Sequence, residues 1–343
     1  MVVPRRLGGL ELDIADQVRV ISAIAEVNGS ASWVTVLYNQ AGFGVATDSE
    51  QCQNEVFGAD PDARVVGTLT PAATARPVPG GWRVSGRAYY NTGSAHATWV
   101  TVNAYLLDEN GEVVGAGGVR TPIENVTIED VWHVAGMRAT ASNCAVWEDV
   151  FVPDHHMVRF ETTMRMEYAT PFKDETVYQV PLTTQLLITM MAPQLGFGRA
   201  ALRLVIEKSR KGIAYTHYEV QAESVAFQLQ IARAATLVET AHLHVERAAQ
   251  LAKEWSSSGY IPTILERGET RAHVSAALES ITEALNILLF AHGAGSFAES
   301  NPLQRIWRDS ATIARHAFTL PEINYEVYGK ALLGIEEQPL PLI

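Results

Sequence analysis

Cysteine is scarce: only Cys52 and Cys144 occur in 343 residues, and no CxxC spacing is present. That excludes a disulfide framework and a cysteine zinc cluster, and it fits a reducing, cytoplasmic setting. Positive charge is short as well. Lys and Arg number 26 against 38 Asp and Glu, a formal net charge of -12. A chain of that sign repels phosphate backbones and anionic lipids, so neither nucleic acid nor a membrane is an expected partner. The longest apolar runs, LLITMMAP and LNILLFA, fall short of a bilayer span. The opening MVVPRRLGGLELD has no apolar core behind its arginines, as a signal peptide would. A GxGxxG turn, a Walker A loop and a GxSxG elbow are all missing. No metal site is expected. His242 and His244 point to different sides of one helix, and His155-His156, in a loop after Val152-Pro153, is read without carboxylate or cysteine company beyond the adjacent Asp154.

What remains is an ordinary globular composition, 47% hydrophobic and 19% charged, in a chain long enough for about two domains. Residues 12 to 57 carry helical spacing, with Ile14, Val18, Ile21 and Ala25 on one face. Residues 62 to 153 read as strands, and Asn110-Gly111 between WVTVNAYLL and EVVGAGGV is a strong hairpin signal. From about 183 the pattern is helical again. Phe227, Ile231, Ala234, Val238, Ala241, Val245 and Ala248 recur at alternating spacings of four and three, the seam of a long bundle helix. Helices over 271–291 and 303–319 complete an expected four-helix bundle. The fold class is therefore α+β, divided at 1–57, 58–160 and 161–343.

Two segments mix aromatic, hydroxyl and glycine residues. In SGRAYYNTGSAHATW, Tyr89, Tyr90, Asn91, Thr92, Gly93 and Ser94 offer faces to stack on and short hydrogen-bonding groups, as a flat heteroaromatic ligand requires. A β-turn with packed tyrosines would read the same way. WHVAGMRATASN, with Gly136 and small residues around Thr140 and Ser142, would admit a ligand close to backbone, or form only a tight loop. RIWRDSATIARHAF has neither Gly nor Pro and predicts a helix that carries Asp309 and His316 on nearly one stripe. A lone helical His is commonly a packed residue.

In their order, the motifs PRRLGGLELD, NGSASWV, GGWRVSGRAYYNTGSAHATW, WHVAGMRATASN with VFVP, and PLQRIWRDSATIARHAF with YGKALLG resemble the acyl-CoA dehydrogenase superfamily. More closely they are similar to its flavin-dependent monooxygenase branch, which includes oxygenase components of two-component systems. The resemblance implies N-terminal helices, a central β-barrel-like domain and a C-terminal four-helix bundle, usually in a homotetramer. It implies reduced FMN or FAD as cofactor, O2 as co-substrate through a flavin C4a-hydroperoxide, and a separate NAD(P)H-dependent flavin reductase. Carried over by position, Thr68, Asn91, Thr92, Gly93, Thr140 and Ser142 flank the flavin, with Thr92 near its N5. Asn39, Gln40 and Trp132 fall on the substrate side. His316, taken with a near-neutral pKa, would hold or deliver a proton.

One register comparison separates the branches. Many dehydrogenases of the superfamily place a Tyr-Glu pair eight and nine residues after the Arg of an Arg-Asp pair, and that Glu is their base. Here the Arg is Arg308 and the two positions hold His316 and Ala317, and alanine takes no proton. The rival readings are a dehydrogenase with a displaced base and a non-catalytic paralogue. Three features depart from the family. The N-terminal helical part is expected to be shorter by about two helices. Asn39-Gln40 stands where phenol-hydroxylating members often have a His, which leaves N- or S-oxidation open. His217 replaces an Arg that commonly holds the flavin phosphate.

Overall fold

The computed structural model describes residues 1–340, which run as helices, then strands, then helices. Asp13 caps α1 (Ile14–Ala25), its carboxylate accepting from the Asp16 amide at 2.9 Å, and the predicted stripe Ile14, Val18, Ile21 and Ala25 is buried. The break at Asn28-Gly29-Ser30 is itself a cap: Asn28 Oδ1 accepts from Ala31 N at 3.0 Å and starts α2 (Gly29–Ala46). A short α3 (Glu50–Gln53) widens into a π-turn over Asn54–Gly58.

Eight strands follow: β1 (Val65–Gly67), β2 (Ala73–Val78), β3 (Gly81–Asn91), β4 (Trp99–Leu107), β5 (Val113–Pro122), β6 (Thr127–Glu129), β7 (Asn143–Pro153) and β8 (Met157–Arg159). They form one sheet in the order β6-β7-β3-β2-β4-β5-β8, with β1 alongside β4. The predicted hairpin is β4–β5, in register at Asn103 opposite Gly118, and its turn needs Gly111 at φ +84°. β1 and β2 both run parallel to β4, and the other pairs are antiparallel. The sheet's buried cluster gathers Val84, Val100, Val102, Ala104, Leu106 and Trp147.

After α4 (Phe160–Met164) the chain builds the bundle from α5 (Leu182–Lys208), α6 (Val225–Ser258) and α7 (Ile264–His292), then α8 (Pro302–Ile313) and α9 (Pro321–Leu332). The seam predicted on α6 is buried except at Ile231, which is partly covered. Each buried Phe227, Val238 or Val245 side chain contributes about 1.5–3 kcal/mol. α7 opens with a capping box, Thr263 and Glu266. By length and apolar content α7 would pass for a membrane span, unlike what the short runs suggested. It carries Arg271 buried in the bundle, however, and packs on α5, α6 and α9.

The helix predicted to 319 stops at Ile313. His316 adopts extended backbone (φ -65°, ψ 133°) and caps a 3-10 turn, Ala317–Thr319, accepting from Phe318 N at 3.3 Å. Leu320, ahead of Pro321, is held out of the helical region. Asp309 and His316 therefore do not share a helical stripe.

Candidate active site

A cavity of about 490 Å³ lies between the sheet, α2 and the bundle, within the size range of small-molecule sites. One stripe of α2 supplies Trp33, Leu37, Gln40, Ala41 and Gly44. Alternate residues of β4 and β5 supply Thr101 and Asn103, then Gly118 and Arg120. Asn103 Nδ2 donates to Leu69 O at 2.6 Å and so fixes the Thr68–Thr70 segment as part of the wall. Leu186 and Met190 of α5 face in from the bundle, and Ile313, His316, Ala317 and Phe318 close that side.

The two aromatic–hydroxyl segments meet at this cavity. Thr92 Oγ1 lies 2.8 Å from Ser142 Oγ, which lies 2.7 Å from Thr140 Oγ1, and Thr140 donates to Met137 O at 2.9 Å. Because Thr140 spends its proton on Met137 O, Ser142 donates to Thr140 and Thr92 donates to Ser142. The Thr92 oxygen is thereby left as an acceptor at the cavity surface. Thr68 Oγ1 is buried there with no partner. A solitary buried hydroxyl costs roughly 1–3 kcal/mol unless a ligand satisfies it.

Of the residues expected at the site, Thr68, Thr92, Ser142, Gln40, Trp132 and His316 line the cavity. Asn91, Gly93 and Thr140 stand behind the wall. Asn91 is fully buried with Nδ2 on Ala88 O at 2.9 Å, and Gly93 N donates to Thr140 O at 2.7 Å. A Cβ on Gly93, at φ +86°, would come within 2.7 Å of the Tyr38 ring. Asn39 corrects the expectation of a substrate contact. The lining stripe of α2 runs through Leu37, Gln40, Ala41 and Gly44, and Asn39 falls outside it: its Oδ1 accepts from Val2 N at 2.7 Å and its Nδ2 donates to Gln17 Oε1 at 2.8 Å. Both Gln40 amide protons are used, on Leu186 O and Thr189 Oγ1 at 2.9 Å each, so its carbonyl oxygen is an acceptor. His217 is exposed in a loop and does not line the cavity.

His316 packs edge-on to Trp33 at 5.6 Å. Burial lowers its pKa to about 4, not the near-neutral value expected of it. With Nδ1 accepting from Phe318 N, the neutral ring carries its proton on Nε2. No Asp or Glu is among the described residues lining the cavity, and Ala317 is there instead. Glu326, beyond that stretch, sits on α9 paired with Lys330 at 3.1 Å and does not line the cavity.

Some residues that shape the site carried no motif. Arg120 forms a buried two-point pair with Asp48, Nε to Oδ2 at 2.9 Å and Nη2 to Oδ1 at 3.2 Å. Burial raises the Asp48 pKa and Arg120 opposes the rise. The α2 stripe could have been read from its spacing; the pair across 72 residues could not. Asp309 of RIWRDSATIARHAF accepts from Met137 N at 2.5 Å, and Arg308 donates to Ala135 O. Together they dock the 132–143 loop on α8. Gly136 makes that approach possible, since a Cβ would lie 2.2 Å from Arg308 O. Gly136→Ala is expected to cost about 1–3 kcal/mol in a denaturant melt and to loosen the Trp132–Met137 wall. An unchanged midpoint would show that the loop yields freely.

Away from the cavity the structure corrects one further expectation. His155-His156 does have carboxylate company, in Glu55, 100 residues earlier.

Comparison with known proteins agrees with this fold. A family model described as acyl-CoA dehydrogenase, C-terminal domain, matches residues 188–321. The solved structure of XiaF from Streptomyces sp., in complex with FADH2 and glycerol, is 34% identical with a TM-score of 0.96, the match covering 100% of this chain and 87% of that one. The flavin-dependent monooxygenase oxygenase subunit HsaA of Rhodococcus jostii (strain RHA1) is 29% identical over 341 residues, 98% of this chain and 88% of that protein. The FADH2-dependent resorcinol hydroxylase, oxygenase component, of Rhizobium sp. (strain MTP-10005) is 27% identical over 347 residues, 98% and 85% of the two chains.

Proposed function

This chain belongs to the acyl-CoA dehydrogenase superfamily, in its flavin-dependent monooxygenase branch, and we propose that it is the oxygenase component of a two-component system acting on a small cyclic organic substrate. The observation that carries this reading is the cavity wall itself. It joins a buried, unpartnered Thr68 hydroxyl and the Thr92 acceptor to a lining without a carboxylate. Such a wall suits a flat ring bearing both N–H and carbonyl groups, as reduced flavin does. Bound there, reduced flavin supplies the electrons that activate O2 for transfer of one oxygen atom to carbon, nitrogen or sulfur.

The chain's own residues do the rest. Thr92, oriented by Ser142 and Thr140, accepts a hydrogen bond from a ring N–H. Thr68 finds its missing partner. Trp33, Leu37, Leu186, Met190 and Phe318 exclude water and give the substrate apolar contact. His316 presents Nε2–H as a donor. The chain offers no nicotinamide-binding signature, so the electrons come from a separate NAD(P)H-dependent flavin reductase. A homotetramer would cover the exposed Leu229, Leu243, Phe290 and Phe297 on the bundle.

The test is anaerobic titration with reduced FAD and FMN, followed by turnover with a flavin reductase and isotopically labelled O2 over a panel of aromatic, amine and sulfide substrates. Label in the product is expected. Thr92→Val is expected to weaken reduced-flavin binding about tenfold, the equivalent of one hydrogen bond. A folded protein that binds flavin in neither redox state would sink the proposal. Tight oxidised flavin bleached by an acyl thioester without O2 would return the dehydrogenase reading.

A further inference from the structure

We propose that Glu55, His155 and His156 form a binding site for a divalent transition-metal cation, with Zn2+ the best match, where the β7–β8 turn meets the π-turn after α3. His155 and His156 share the single turn Asp154–His156 between β7 and β8, and Glu55 comes from the π-turn after α3. Their ligand atoms all lie within 4.8 Å of one another.

His156 carries the inference. It is only 5% exposed, and its Nε2 is buried with no hydrogen-bond partner. That nitrogen lies 2.7 Å from Glu55 Oε2. His155 Nε2 lies 3.0 Å from the same carboxylate and 3.3 Å from Gln51 Nε2. Trp99 stands edge-on to the His156 ring at 5.3 Å and fixes its direction. A buried imidazole nitrogen this close to a carboxylate oxygen and without a satisfied hydrogen bond is costly when left alone, and a shared cation satisfies both groups.

Tetrahedral Zn2+ with bonds of about 2.0–2.1 Å needs ligand atoms roughly 3.3 Å apart. The two His–Glu distances fall a few tenths of an ångström short, a movement the exposed Glu55 can make. Two imidazoles and one carboxylate favour Zn2+, Ni2+ or Cu2+ over Ca2+ and Mg2+, which take oxygen ligands. The remaining position is left to water. The consequence is mechanical: Val158 in β8 and Phe160 just beyond it line the cavity, so the cation would clip the π-turn to one wall of the site from outside.

Equilibrium dialysis of EDTA-stripped protein against ZnCl2 tests this, with CoCl2 as a coloured probe. About one equivalent of Zn2+ is expected to bind, and Co2+ to show visible d–d bands. His155→Ala and Glu55→Gln, both at partly exposed positions, should each weaken binding at least tenfold with melting temperatures unchanged in EDTA. The half-buried His244–His273 pair, Nδ1 to Nδ1 at 2.8 Å, is the competing imidazole cluster, and His244→Ala should leave binding intact. Equal binding in wild type, His155→Ala and Glu55→Gln, or loss only in His244→Ala, would overturn the proposal. So would no retention by the wild type at tenfold excess of ZnCl2.

Discussion

His316→Ala is expected to cut product formed per flavin oxidised by about 10²-fold, the usual loss for one well-placed donor in a dry site, with reduced-flavin binding and the melting temperature close to wild type. The sequence suggested a His titrating near neutrality. The structure gives it another character, because burial takes its pKa to about 4 and Phe318 N occupies Nδ1. From pH 5 upward the ring is neutral and acts through Nε2–H. Wild-type turnover should therefore show no pH limb from this residue between pH 6 and 8. His316→Gln, which keeps an N–H donor, should recover part of the loss. A limb with apparent pKa between 6 and 7 that vanishes in His316→Ala would show instead that an imidazolium does the work. The same pKa has a stability sign. The unfolded chain protonates this His near 6.5 and the folded chain only near 4. Folding stability therefore falls as pH drops through that window, with a slope of at most about 1.4 kcal/mol per pH unit, and His316→Ala removes that slope.

The sequence disclosed most where information was repeated. The α6 seam, the α1 stripe and the Asn110-Gly111 hairpin each repeat or concentrate one physical signal, and each is present as read. Order of motifs placed Thr68, Thr92, Ser142 and His316 around one cavity, although no single motif would have done so. Failures cluster where a distant residue decides the outcome. RIWRDSATIARHAF has helix-forming residues throughout, yet its last turn is lost because His316 bonds the backbone locally and Pro321 forbids helix just ahead. Asn39 is expected beside Gln40 on the substrate side, but the lining stripe of α2 runs through Leu37, Gln40, Ala41 and Gly44 and leaves Asn39 bonded to Val2 N and Gln17 instead. His155-His156 looked bare because Glu55 lies 100 residues away, and Asp48 and Arg120 meet across 72. Pairings of that kind are products of topology, which local spacing does not encode.

Arg120→Met is expected to destabilise the chain by about 3–5 kcal/mol, the cost of leaving a buried carboxylate without its partner. Asp48 is fully buried at the end of α2, and besides Arg120 its carboxylate is met by Cys52 Sγ at 3.5 Å. Arg120 is held in β5 opposite Thr101 and borders the cavity, so the pair ties the N-terminal helices to the sheet beneath the site. Asp48→Asn with Arg120→Met should recover much of the loss, because no lone charge then remains. In a double-mutant cycle by denaturant unfolding the coupling should exceed 1 kcal/mol, whereas additivity within about 0.5 kcal/mol would mean the two groups act independently. The defect should also depend on pH in a fixed direction. The folded-state pKa of Asp48 is already raised by burial, and losing Arg120 raises it further. A raised carboxyl pKa means the folded state holds its proton more tightly than the unfolded one, so the penalty grows as pH rises and shrinks as pH falls. Arg120→Met should accordingly lie nearer to wild-type stability at pH 5 than at pH 8, and a loss independent of pH would show that the variant fails through lost packing beside the cavity rather than through the stranded charge.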